Sequence, residues 1–179
     1  MGIVERPSEG LPPSVPGSDV FHGGFADYND AATAITPLVV TGGGGDVQIT
    51  NDTLGAFTNT AYLPSGVTSI WNSTTNQFDF SQLSLGDMID IRLELKPTIA
   101  GQNSEVEIDL ELGVGGSPYT ISFGRQSFKT SGVKRIDRFN GIYMGDSNTL
   151  NNPGRFLIRS DTNLDLVVSG WYVKIIRKG

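Results

Sequence analysis

The side chains able to do chemistry in this 179-residue chain are few: one histidine, His22, and no cysteine. A Ser/His/Asp relay therefore has a single possible centre, and thiolate ligation of a metal has none. His22 lies beside Gly23 and Gly24 and reads as a loop residue. Carboxylates are the remaining reactive groups. Paired carboxylates hydrolyse glycosides, and Asp90, Glu94, Glu107, Asp109 and Glu111 are the candidates, but they recur along strand faces as solubilising charges do. Calcium needs several oxygens converging from a loop. Asp46 with Asn51 and Asp52, or Asp146 with Asn148, Asn151 and Asn152, supply oxygens, yet the same residue types form turns. Gly42 to Gly45 before Asp46 lacks the Lys and Ser/Thr of a phosphate loop and is followed by a strand-like run. Asn51-Asp52-Thr53 and Asn72-Ser73-Thr74 match glycosylation acceptors, which carry meaning only in a secreted chain. No catalytic, cofactor or metal residue is assigned, and an enzyme is the least favoured class.

The elements that would position any site are strands. In Met88 to Leu95, Ile89, Ile91, Leu93 and Leu95 alternate with Met88, Asp90, Arg92 and Glu94. Glu105 to Leu112 repeats the period of two, with Val106, Ile108, Leu110 and Leu112 on one side. Each run spans roughly 27 Å at about 3.3 Å per residue. The short Pro97 to Ser104 connection predicts that the two pair antiparallel. Thr33 to Val40, with Pro37 marking an edge, is a first strand, while Phe21 to Tyr28 reads as a loop pinned by three aromatics. Val67 to Trp71 and Gln77 to Phe80 flank a turn and form a hairpin. Further strands are expected at Tyr119 to Phe123, Gln126 to Lys129, Val133 to Phe139, Phe156 to Arg159, Leu164 to Val168 and Trp171 to Lys178. No stretch shows a helical apolar stripe. Many short strands with frequent turns predict an all-β chain folded as a sandwich of two antiparallel sheets. Residues 1–20, rich in Pro and Gly, form an extended N-terminal arm ahead of a domain at 21–179, serving either as a strap to a neighbour or as a tail.

Composition narrows the partners. The net charge is −6, which opposes nucleic-acid binding. No run approaches the roughly 20 apolar residues of a membrane span, and the N-terminus has no apolar signal core, so cytoplasmic synthesis is expected. Residues 1–112 hold 15 acidic and 3 basic side chains, whereas 113–179 hold 4 and 10. Acidic strands therefore meet basic ones, either across a subunit interface or as cross-strand pairs on a solvated face. In the last strand Tyr172 and Ile176 share a face with Lys174 and Lys178, and apolar residues on a wet face imply burial against another chain.

WNSTTNQFDFSQLSLGDMIDIRLEL, followed by VVSGWYVKIIRK with Gly170 and Trp171 opening the last strand, resembles the jelly roll of tumour necrosis factor-like cytokines and complement-type globular heads. FHGGFADYNDAAT, LGDMIDIR and GWYVKIIR are similar to jelly-roll structural proteins of tailed bacteriophages. The resemblance implies a jelly-roll homotrimer and a non-enzymatic virion part made in a bacterial cytoplasm. As a capsid decoration protein it would bind the major capsid protein through arm residues Val4, Pro7, Leu11, Pro12 and Val15. Its trimer interface would use Phe21, Phe25, Tyr28, Tyr172 and Ile176. The alternative is a receptor-binding head of a tail or fibre, contacting host surface glycan through Trp71, Asn72, Tyr143, Asn148 and Asn151.

Overall fold

A computed structural model describes residues 23–28, 33–50 and 59–178; the arm at 1–20, Phe21, His22, Asn51 and Asp52 lie outside them. Alternating apolar residues build the strands, in the order β1 (Gly23–Tyr28), β2 (Leu38–Val40), β3 (Val47–Gln48), β4 (Trp71–Asn72), β5 (Gln77–Phe78), β6 (Met88–Ile99), β7 (Ser104–Leu112), β8 (Tyr119–Phe128), β9 (Gly132–Val133), β10 (Ile136–Tyr143), α1 (Ser147–Asn151), β11 (Arg155–Ser160) and β12 (Leu164–Ile176). One sheet runs β1-β12-β6-β10, with β2 also on β12 and β9 also on β6. The second runs β3-β11-β7-β8, and β4-β5 is a separate hairpin. Every strand pair is antiparallel. From β6 onward the main connections mostly cross between the sheets, which gives the jelly-roll sandwich expected from the sequence.

The paired strands predicted from alternation are not paired. β6 hydrogen-bonds β12 and β10, while β7 hydrogen-bonds β8 and β11 in the other sheet. Ile89, Ile91, Leu93 and Leu95 face the core from one layer, and Val106, Ile108, Leu110 and Leu112 from the other. The chain turns between layers at 100–103, where Asn103 adopts φ 54°. Pro97, read as the start of the loop, lies inside β6. Its carbonyl accepts the Lys134 amide at 2.8 Å, in the gap where β9 gives way to β10, so the donor that proline lacks has no ladder partner to deprive.

Other boundaries move for equally local reasons. Gly23–Tyr28, read as a loop, is a strand on β12. Gly24 is required there, because a Cβ would sit 2.2 Å from the Tyr62 carbonyl oxygen of the segment that covers its edge. Only Leu38–Val40 of the expected first strand is extended, Thr33 to Ile35 being a turn. The Thr33 hydroxyl instead accepts the Val168 amide at 2.9 Å. The final two strands are one, β12, with a register shift between Val168 and Gly170. Helix α1 was not foreseen; at five residues it has no stripe to detect, and Asp146 caps it by accepting the Thr149 amide.

An aromatic cluster fills the space between the layers and the hairpin. Phe156 of β11 meets Phe78, Phe123 and Trp171 at ring separations of 5.8, 4.6 and 5.2 Å. Phe156→Ala should therefore lower unfolding free energy by about 3–5 kcal/mol in urea titration, whereas Ile35→Ala, at an exposed position, should change it by no more than about 0.5 kcal/mol.

Candidate functional site

Strand parity gives the two sheets unlike outer surfaces. On the first sheet the outward positions of β6 are Met88, Asp90, Arg92, Glu94 and Lys96. Beside them lie Tyr172, Lys174 and Ile176 of β12 and Asp137, Phe139, Gly141 and Tyr143 of β10, in rows such as Tyr172–Arg92–Phe139 and Ile176–Met88–Tyr143. Phe139 is 65% exposed, and Met88 and Tyr143 are exposed as well. Phe25 of β1 stacks on Tyr62 at 4.9 Å and on Tyr172 at 6.0 Å, and the Arg92 guanidinium lies 5.3 Å from the Tyr172 ring centre.

Of the residues expected at an interface, the fold thus joins Phe25, Tyr172 and Ile176 on one face. Tyr28 enters by its backbone, paired with Trp171, and Phe21 is outside the described residues. Sequence reading missed Phe139 and Met88. Met88 was assigned to the polar side of its strand, and the alternation that exposes Phe139 is blurred by Arg138 and Asn140, polar residues on the inward side of an edge strand.

The second sheet presents charge. Glu111 binds Arg155 at 2.6 Å, Glu107 binds Arg159 at 2.8 Å, and Glu105 pairs with Arg125. The acidic first half and basic second half of the chain therefore meet as cross-strand pairs. Asp109, 8% exposed, lies 3.8 Å from Arg159. Burial, with Glu107 adding to it, raises the Asp109 pKa despite the opposing pull of Arg159.

The remaining candidates are bound into structure. Asp90 and Glu94 lie on the opposite outer face from Glu107, Asp109 and Glu111, so the five carboxylates do not form one site. Asp46 binds Arg159 at 3.2 Å. Asn148 exchanges hydrogen bonds with the Ser117 backbone, and Asn152 donates to Asn148. Asn72 accepts the Thr74 and Thr75 amides. Hydrogen bonds from the Thr149 amide and hydroxyl hold the Asp146 carboxyl below its usual pKa. Trp71, a candidate sugar contact whose other reading is a core or interface aromatic, is 6% exposed and packs on Trp171 at 5.0 Å, because the hairpin turns its indole into the core.

One solved chain, from the structure of infectious bursal disease virus Gx strain, superposes on 97% of this chain with a TM-score of 0.50 at 14% identity. The fold is a jelly roll of a kind found in a virus. The chain spans 38% of that viral chain's length. The PRD1 vertex protein P5 gives a TM-score of 0.41 at 10% identity over 89% of this chain and 99% of its own, and Eiger TNF from S. frugiperda gives 0.41 at 8% over 88% and 93%. No protein-family model matches the sequence, and no curated protein matches it significantly.

The Asp109 environment makes a pH prediction. Its folded pKa lies above the unfolded value, so its contribution to stability is complete below the unfolded pKa of about 3.9 and is lost as pH rises through the folded pKa. Asp109→Asn should raise the melting temperature at neutral pH, and its advantage over the wild type should shrink toward the acid end. A constant difference across a pH series would show that Asp109 does not titrate in this range.

Proposed function

We propose that this chain is a non-enzymatic structural component of a virion. In this reading it assembles as a homotrimer through the outer face of the β1-β12-β6-β10 sheet and decorates a bacteriophage head. The observation that carries the reading is the inequality of the two outer faces. One exposes Phe139 and Met88 beside the Phe25–Tyr172 stack; the other is a ladder of ion pairs. Exposed apolar side chains gathered on one face of a sandwich mark an interaction surface, while paired charges suit water.

The same face carries its own charge complement. Outward charges along β6 alternate in sign, Asp90, Arg92, Glu94, Lys96, so a second copy can meet the strand without net repulsion although the whole chain bears −6. Phe25, Tyr172 and Ile176 flank these charges on one side and Phe139 on the other, with Met88 at the end of the charged strand, so apolar and charged rows alternate across the face. The likeness to a virus chain supports the virion reading, and the resemblance to phage jelly rolls supports a bacteriophage particle. Three equivalent contacts of one trimer with the major capsid protein, made by the base of the domain and by Val4, Pro7, Leu11, Pro12 and Val15 of the arm, would raise weak single affinities by avidity.

Sedimentation equilibrium should return a trimer for the full chain, and Phe139→Glu, at an exposed position that leaves the core untouched, should return a monomer with an unchanged circular-dichroism spectrum. A wild-type monomer would remove this face from the reading. Mass-spectrometric counting against the shell protein of purified particles should give hundreds of copies; a handful would move the protein from the head to the tail.

A further inference from the structure

A second feature stands at the end of β10, apart from the centre of the oligomeric face. A cavity of about 260 Å³ lies between β8, β10 and α1, lined by Tyr119, Ile121, Tyr143, Asp146 and Thr149 among others. Tyr143 is 67% exposed. Its ring occupies the space beside Gly145, where a Cβ would fall 2.5 Å from the ring edge, so glycine is what lets the ring lie there. Tyr143 thus presents an aromatic surface at the rim of a polar hollow.

The polarity of that hollow follows from its hydrogen bonds. The Asp146 carboxylate accepts the Thr149 amide at 2.7 Å, and the Thr149 hydroxyl lies 2.8 Å from the Tyr119 hydroxyl. Either hydroxyl can be the donor in that pair, and in both cases the phenol oxygen keeps a lone pair. The Tyr119 oxygen is left as an acceptor. Asp146, solvent-exposed and charged, is an acceptor too. Fixed acceptors beside an exposed ring select a ligand with hydroxyl donors on a C–H-rich ring and repel anions.

We propose that this cavity is a saccharide site for a neutral pyranose, its C–H face on Tyr143 and its hydroxyls donating to Asp146 and the Tyr119 oxygen. The volume, just under the roughly 300–1,000 Å³ of pockets for larger ligands, admits one ring, so affinity at a single site is weak and repeated copies of the site would strengthen it. Every lining residue belongs to one copy, and because Tyr143 shares the outer face with Met88 the site requires an oligomeric contact that leaves the end of β10 uncovered.

The test is saturation-transfer NMR of the full chain with millimolar methyl glycosides of glucose, galactose, mannose, fucose and N-acetylglucosamine, alongside sialylated and sulfated glycosides. Transfer to ring C–H protons of at least one neutral glycoside is expected. Tyr143→Ala should weaken that binding about tenfold, and Asp146→Asn, which keeps a competent helix cap, should weaken it by a similar factor. No transfer to any neutral glycoside would overturn the proposal, as would binding confined to the anionic glycosides or binding undiminished in both variants.

Discussion

The position of Trp171 is the constraint on which the rest of the fold depends. Its ring lies 5.0 Å from Trp71, 5.6 Å from Phe78 and 5.2 Å from Phe156, so one side chain ties the first sheet to the hairpin and to the second sheet. A one-residue bulge in β12 sets that position. Before the register shift at Val168/Gly170, the even-numbered Leu164, Leu166 and Val168 point inward; after it, the odd-numbered Trp171, Val173 and Ile175 do. Without the extra residue one of the two sets would face water. Thr33 supports the irregularity by accepting the Val168 amide. The same shift turns Tyr172 and Ile176 outward, so the core and the candidate interface are fixed by a single local device.

Much of this was legible in the sequence, and what was not has a physical reason. Alternation assigned the faces of β6, β7 and the end of β12 correctly, because period two is a property of the chain alone. It could not assign partners, because two strands with equal apolar faces satisfy burial equally well side by side or across a core. The chain took the second option, and Pro97 is tolerated within β6 because its nitrogen meets the gap between β9 and β10 rather than a ladder partner. FHGGFADY was misread because its glycines signal turns, whereas Gly24 answers a close approach by Tyr62 from a distant segment. At the candidate site, Tyr172 and Ile176 were visible as apolar residues beside lysines. Phe139 was hidden by the polar inward residues of an edge strand. Trp71 was open to two readings, core aromatic or sugar contact, because nothing in its neighbours says which way a two-residue strand faces.

The ion pairs should be weighed by location. Exposed pairs such as Arg159–Glu107 contribute roughly 0–1 kcal/mol each, so the ladder on the second sheet does more to keep that face solvated than to hold the fold. Asp87 differs. It is fully buried, binds Arg177 at 2.8 Å, and accepts the Ser84 and Lys178 amides, each at 2.8 Å. Removing Arg177 would cost about 3–5 kcal/mol, because the Asp87 carboxylate would remain buried without its counter-charge. The pair clamps the end of β12 to the turn before β6, at the edge of the outer face that carries Met88 and Ile176.

That clamp bears on how a flat sheet face can act as a docking surface at all. Apolar side chains on a loose edge would rearrange or promote indiscriminate strand addition. Here β12 is central, held by β1 on one side and β6 on the other, and its end is pinned by a buried charge. The 59–62 segment covers the free edge of β1 through backbone hydrogen bonds from Phe25 to Tyr62 and between Asp27 and Asn59. With that edge covered and the last strand anchored, the apolar face is offered through side chains rather than open backbone, which favours contact with a matched surface over growth of the sheet.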